Sequence, residues 1–484
     1  MIVGRDPSAT MPCYRMDIDQ YSVFASHVSL FSDLNGLPHA IDWNGVSRHL
    51  FAGTLPTRDT SLKGVTELLP GTAVRLRAGA SEILELWSPW AFVASRPNVS
   101  IDDNIIALRR TVQTCVAARA RQFKRPIITV SGGLDSSIVA AVAAPTSQDL
   151  LGMTMYTDDP AGDERAYAQA LCDALGMGLT AVRYDVSSVD IGKPYSPHLP
   201  RPVGRTIGTA YESALIAVAK AEGADGFLSG NGGDNAFAYS RSAKPVVDRY
   251  LREGLGRGVI GTISDIATMA GASYAEVVRA AWRTYRKRRR PYRWTTSTRF
   301  LHPDLVCEID REPLSHPWLQ GPDDALPGQL GHIAGILHAH RNLDPQRGLA
   351  ASAVAPLMSQ PILELCLGIP SWHWCHGGRD RSPIRSAFKV DLPDLIAARR
   401  VKGTPDGFNA EILPHYQTQI KERLLSGRLM NAGLLDRAEL GRVLDSPRDA
   451  NPGDRTRIVD LLDTEAWLDH WTGVAGASPA SRRS

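Results

Sequence analysis

Seven consecutive residues, Ser131-Gly132-Gly133-Leu134-Asp135-Ser136-Ser137, combine two glycines, three hydroxyls and a carboxylate. Glycine lets the backbone turn tightly and approach a ligand closely. Ser136 and Ser137 fall where a helix would begin. There, unpaired N–H groups and the positive end of the helix dipole favour an anion. Ser131, Gly132, Gly133, Ser136 and Ser137 are therefore candidates to hold a pyrophosphate-sized group. Asp135 adds a carboxylate suited to a magnesium ion bridging phosphate oxygens. No lysine stands in the loop, so it is not the GxxxxGK[ST] phosphate loop. A second run, Ser229-Gly230-Asn231-Gly232-Gly233-Asp234-Asn235, lies about 100 residues on. Gly232 and Gly233 again permit close approach, and Asp234 is the candidate second magnesium ligand. For each run the plain alternative is a glycine-rich turn that binds nothing.

The surrounding pattern supplies the elements such loops need. Residues 102–122 carry apolar positions at helical spacing. Ile127–Val130 is a short apolar run typical of a buried parallel strand. Ser136–Ala144 suits a buried helix. The alternation continues with a strand over 150–156, a helix over 163–175 closed by Gly176, and a strand over 179–184. A helix over 210–221 and a strand over 226–229 follow. Strand, helix, strand in this rhythm means a parallel sheet with flanking helices, an α/β fold. Both loops then lie at carboxyl ends of strands, where such sheets bind ligands. Residues 1–92 read instead as β-rich, with Trp87–Trp90 as the domain edge. From Arg241 onward the pattern is mostly helical. The basic run at 286–290 reads as a solvated helix end or a contact to an acidic partner.

Composition narrows the class. The chain of 484 residues is long enough for two or three domains. A net charge of +3 is too mild to imply nucleic acid. The six cysteines are scattered without a CxxC pair, so neither a disulfide framework nor a zinc site is expected. No apolar run is long enough to span a bilayer, and no signal-peptide core opens the chain. The expected location is the cytoplasm. His332, His338 and His340 fit a helix surface better than a zinc site. Trp372, His373, Trp374 and His376 read as a packed loop or as a peptide-binding wall. Asp163 and Glu164 read as helix capping, with substrate contact as the alternative.

The two loops together resemble the asparagine synthetase family, within the N-type ATP pyrophosphatase superfamily. That family also contains β-lactam synthetases and lasso-peptide macrolactam synthetases. Asp380–Phe388 (DRSPIRSAF) resembles the family's basic segment, and Arg399–Gly403 (RRVKG) its lysine-bearing loop. The resemblance implies ATP and Mg2+ as cofactors and AMP transfer with release of pyrophosphate. It implies Lys402 as the catalytic lysine that balances charge on the adenylate and pyrophosphate, and Arg385 as a further phosphate contact. It divides the chain into a partial class II glutamine amidotransferase-like (Ntn) domain over 1–92 and an asparagine synthetase-like domain over 100–475; the composition of 476–484 reads as a disordered tail.

Departures from the family's pattern set the finer expectation. Met1 is followed by Ile2, where glutamine-using members carry a cysteine. Val3–Arg15 (VGRDPSATMPCYR) resembles the middle of the amidotransferase domain, so a shortened domain or an upstream start is expected, with no glutaminase site in view. β-Lactam synthetases carry a tyrosine at the position of Asn231, and asparagine cannot serve as a base near neutral pH. An α-amine nucleophile needs little help, because its pKa is about 8. The lasso-peptide branch, similar also around Gly232–Phe237, Ser359–Pro361 and Ile369–Cys375, is therefore the expected one. Its acid substrate is a peptide or amino-acid carboxylate, and a leader-peptide-binding protein or peptidase is its expected partner. Asparagine synthesis and an inactive binding scaffold are the alternatives.

Overall fold

The computed structural model describes every residue except 32–39, 54, 78–79, 94, 96–97, 148, 205, 312–313, 344, 400–405 and 477–484. The amino-terminal strands form two small antiparallel sheets. In one, β1 (Ile2–Gly4) and β6 (Ala80–Glu85) flank β5 (Thr72–Arg77); in the other, β3 (Tyr21–Ala25) and β4 (Val65–Glu67) flank β2 (Tyr14–Ile18). Between β3 and β4 runs α1 (Trp43–Ala52), capped by the Asp42 carboxylate on the N–H groups of Asn44 and Gly45. The β-rich reading of this region left that helix out.

The indoles at the expected domain edge tie this region to the rest. Trp87 Nε1 donates to Glu364 Oε1 at 2.9 Å, and Trp90 Nε1 donates to the Trp318 carbonyl at 2.9 Å. Buried amphipathic rings with satisfied N–H groups make a packed junction rather than a loose linker.

After α2 (Ile101–Ala120), the chain alternates strictly between strands and helices. β7 (Pro126–Thr129), α3 (Leu134–Ala143), β8 (Leu151–Tyr156), α4 (Arg165–Leu175), β9 (Gly178–Arg183), α5 (Gly208–Glu222) and β10 (Gly226–Leu228) follow in turn. Gly176 closes α4 in the left-handed conformation, as expected from the sequence. A fifth strand, β11 (Ser352–Val354), was not legible in the sequence. The sheet is parallel throughout, in the order β11-β10-β7-β8-β9. The central strand β7 is buried on both faces, with Ile127 and Ile128 fully enclosed, which is why it reads as a continuous apolar run.

Helices complete the molecule. α6 (Gly233–Ala236) follows β10, then α7 (Lys244–Glu253), α8 (Arg257–Ala270) and α9 (Tyr274–Lys287) pack on one another around their own apolar cluster. α10 (Pro303–Ile309), α11 (Pro327–His340), α12 (Gln360–Gly368), α13 (Ser382–Ala387) and α14 (Asp394–Ala397) come next. Further carboxy-terminal helices end with Pro452–Gly476. All six cysteines are free thiols. Among the described residues no helix is long and apolar enough to cross a membrane.

Candidate functional site

At the carboxyl ends of β7, β8 and β10 the structure opens a cavity of about 760 Å³. Both glycine-rich loops reach it. The turn after β7 places Gly132 at φ +61°, a conformation that L side chains rarely adopt. Gly133 then caps α3, so the N–H groups of the first helical turn stand beside the cavity. Ser131, Gly133, Asp135 and Ser136 line it. Gly132 and Ser137 do not. Gly132 packs on Tyr167, and the fully buried Ser137 hydroxyl has no hydrogen-bond partner among the described residues.

The second loop lies directly on the first. A Cβ at Gly230 would stand 2.5 Å from Ser136 N, and one at Gly233 would stand 2.5 Å from Asp135 Cγ. Side chains at either position would drive the loops apart, so both glycines are demanded by this approach. Gly230, Asn231, Gly232, Asp234 and Asn235 line the cavity, whereas Gly233 is turned away from it, against Asp135.

The close approach brings the two predicted magnesium ligands together. Nη1 of Arg381 donates to both oxygens of Asp135 at 3.0 Å and also to Asp234 Oδ1. A single point therefore lies within bonding reach of both carboxylates. Arg381 itself holds φ +52° at the start of α13, an uncommon conformation for a residue with a side chain. Burial opposes its charge, but Asp135, Asp234 and Asp380 outweigh burial, and its pKa is raised above the usual arginine value. Burial pushes the Asp380 carboxyl up, while Arg381 and Arg385 pull it further down, to a net value below the usual range.

Arg385, predicted as a phosphate contact, lines the cavity. Its Nε donates to the Asp380 carbonyl at 2.9 Å, and its Nη2 sits 3.2 Å from the Asp380 carboxylate. Arg399 was quoted in the sequence only as part of its loop. It donates to the Ser131 carbonyl at 2.9 Å and to Glu164 at 2.6 Å, bracing the first loop. The Glu164 carboxylate makes no capping hydrogen bond on α4, whereas Asp163 accepts from Arg165 N–H at 3.0 Å, as a capping residue would. Lys402 lies outside the described residues. Trp372 and Trp374 are both buried, in keeping with a packed loop, and Trp374 also faces a second, smaller cavity. Among the described residues no cluster of three or more His, Cys, Asp or Glu side chains could hold a metal.

The charge pattern bears on what the cavity could take. Glu164, Asp135, Asp234 and Asp380 line it together with Arg241, Arg381, Arg385 and Arg399, four acids against four bases. A polyphosphate entering such a balanced site must bring cations with it. Two converging carboxylates are what Mg2+ takes from a protein when phosphates and water supply its other ligands. Asp135 and Asp234 fit that role, with Arg381 as the cation they share in its place. Thr129, Val130, Met153, Met155, Tyr211 and Leu215 form a mainly apolar wall, suited to a flat aromatic base.

Fold and cavity together define an α/β protein with a crevice built from two glycine-rich loops at the carboxyl edge of a parallel sheet. Residues 107–469 match the asparagine synthase family model, and the chain belongs to that family. It is similar to asparagine synthetase [glutamine-hydrolyzing] 3 of Bacillus subtilis (strain 168), with 26% identity over 146 residues. That match spans 30% of this chain and 23% of the relative's own length.

Proposed function

We propose that the chain is an ATP-dependent amide ligase that activates a carboxylate as an acyl-adenylate, releases pyrophosphate and passes the acyl group to an amine. The observation that carries this reading is the convergence of Asp135 and Asp234 on one point beside the serine- and glycine-rich turn. Ser131, Gly133, Ser136 and the first N–H groups of α3 bind the β- and γ-phosphates. Asp135 and Asp234 hold magnesium, which when bound neutralises the phosphate charge. Arg381 and Arg385 stabilise negative charge as pyrophosphate departs, and Lys402 is assigned the same task on family resemblance. The apolar wall seats the adenine. Catalysis on this reading rests on positioning and electrostatics. Residues 1–92 are read as the amidotransferase-like portion.

At the finer level we favour closure of a lasso-peptide macrolactam, in which a peptide's α-amine attacks its own adenylated Asp or Glu side chain. Asn231 supports it, because this wall of the cavity offers no base there and an α-amine needs little deprotonation. A leader-peptide-binding protein or peptidase would then be the partner. The match to a glutamine-hydrolyzing asparagine synthetase supports a second reading, conversion of aspartate to asparagine. The test is carboxylate-dependent release of pyrophosphate from Mg-ATP, with a candidate core peptide set against free aspartate plus ammonia. Release with the peptide alone, and loss of one water from its mass, is expected. Asparagine formation instead moves the assignment to the second reading. No release with either overturns the ligase and leaves a nucleotide-binding scaffold.

A further inference from the structure

Beside the main cavity lies a second one of about 120 Å³, room for roughly four waters. The two share Asp234, Asn235 and Tyr239 as a common wall, so they are neighbours at that edge. Ser240, Ser242, Lys244, Gln329 and His332 are among the polar residues that line the second cavity.

Lys244 is its unspent charge. The side chain is half-buried, and that burial pushes its pKa below the usual lysine value, against the pull of Asp248. Among the described residues its ammonium makes no hydrogen bond and no contact ion pair; the Asp248 carboxylate acts on it through space, and the Tyr292 ring lies 6.0 Å away. The neighbouring Asp248 carboxylate is already committed, accepting from Gly328 N–H at 2.9 Å and from Ser371 Oγ at 2.6 Å. His332 carries no compensating charge: burial holds its pKa down to about 4, and Nε2 bonds the Ala236 carbonyl at 2.9 Å.

Helix α11 is built to leave this arrangement space. A Cβ at Gly331 would stand 2.7 Å from Lys244 Nζ, and one at Gly328 would stand 2.2 Å from Asp248 Oδ2. Glycine is a poor residue for a helix. Here it clears a berth for a lysine whose ammonium makes no hydrogen bond among the described residues. A buried ammonium without an anion is unfavourable, and a carboxylate supplies both charge and acceptors.

We propose that the second cavity is a substrate subsite in which the Lys244 ammonium receives a carboxylate of the acyl substrate other than the one activated at the phosphate loops. The identity of the ligand as acyl substrate rests on the ligase reading above. The carboxylate comes from one of two sources: the α-carboxylate of a free acidic amino acid or the terminal carboxylate of a peptide.

Calorimetric titration of the full chain, loaded with Mg2+ and α,β-methylene ATP, separates them. The probes are L-aspartate against its α-amide, and acetyl-aspartyl-glycine against its terminal amide. In one pair the acid binds at least about tenfold more tightly than the amide, and that pair names the source. In Lys244→Met the preference disappears while affinity for α,β-methylene ATP is kept. The wild-type comparison requires no variant, so misfolding of Lys244→Met does not leave the outcome open. Equal binding of acid and amide in both pairs, binding of neither acid, or a preference kept by a folded Lys244→Met overturns the subsite. An acid preference without pyrophosphate release from Mg-ATP sinks the ligase reading and leaves the subsite standing. Pyrophosphate release without an acid preference does the reverse.

Discussion

Two clusters of arginine and carboxylate sit in this molecule, and they are built on opposite plans. At the junction of the amino-terminal sheets with the helices, one carboxylate, Glu67, is ringed by Arg5 and Arg201 at 2.6 Å each and by Arg341 at 3.9 Å. All are almost wholly buried, around a void of only about 20 Å³. In the candidate site three carboxylates, Asp135, Asp234 and Asp380, share the Arg381 guanidinium beside a cavity of about 760 Å³. The first cluster surrounds its anion so completely that nothing can be exchanged. The second leaves an acidic pair bridged by one guanidinium, facing room for a ligand. Similar ion pairs thus serve as a fastening in one place and as a receptive site in the other, and enclosure decides which.

The sharpest way to break the comparison is Asp135→Asn. It should lower carboxylate-dependent pyrophosphate release by about a thousandfold or more while the thermal midpoint stays close to wild type. A fall in stability with activity retained would make this pair a fastening too. Glu67→Gln should do the opposite, costing about 3–5 kcal/mol in denaturant unfolding because three buried guanidiniums lose their counter-charge. Activity per folded molecule should stay near wild type.

The same contrast has a pH signature. Burial pushes the Glu67 carboxyl up, but Arg201, Arg5 and Arg341 prevail and hold it down to about 2, from an ordinary 4.5. A depressed carboxyl contributes stability above its unfolded value, so this contribution is complete above about pH 4.5 and is lost as pH falls towards 2. The shift corresponds to about 3 kcal/mol. Acid unfolding of Glu67→Gln followed from about pH 6 to about pH 3 should therefore be shallower than that of wild type.

Arg381→Ala sharpens the other side. Without its guanidinium the acidic pair should bind Mn2+ about tenfold more tightly in the absence of nucleotide, as read by electron paramagnetic resonance, while turnover falls about a hundredfold. Unchanged Mn2+ affinity would separate the pair from any cation role. The smallest effect is expected from Ser137→Ala, which removes a buried hydroxyl without a partner among the described residues. Pyrophosphate release should change by less than about twofold.

The parallel sheet and its loops were legible because their signals are local. Short apolar runs mark strands buried on both faces, and glycine with serine marks the turns between them. Ser131, Gly133, Asp135, Ser136, Gly232 and Asp234 line the cavity. The misses have physical reasons. β11 is three residues long and follows alanines and a 3₁₀ turn, so its pattern is too short for a period. Ser137 shares its neighbours' chemistry but sits one helical step further round, which turns its hydroxyl into the core. Arg381 and Arg399 were hidden among the basic residues of their segments. Their meaning comes from partners 246 and 268 residues away, a relation no local window contains. Lys244 gave no signal until Gly331 was seen beneath it.

The distance along the chain between Asp135 and Arg381 also orders events during synthesis. The β7 strand and both glycine-rich loops leave the ribosome long before the arginines that brace them. A nascent chain of about half length would carry two carboxylates pressed together with no guanidinium between them. Like-charge repulsion between them would disfavour docking of the second loop onto the first until a cation, Arg381 or another, stands between them.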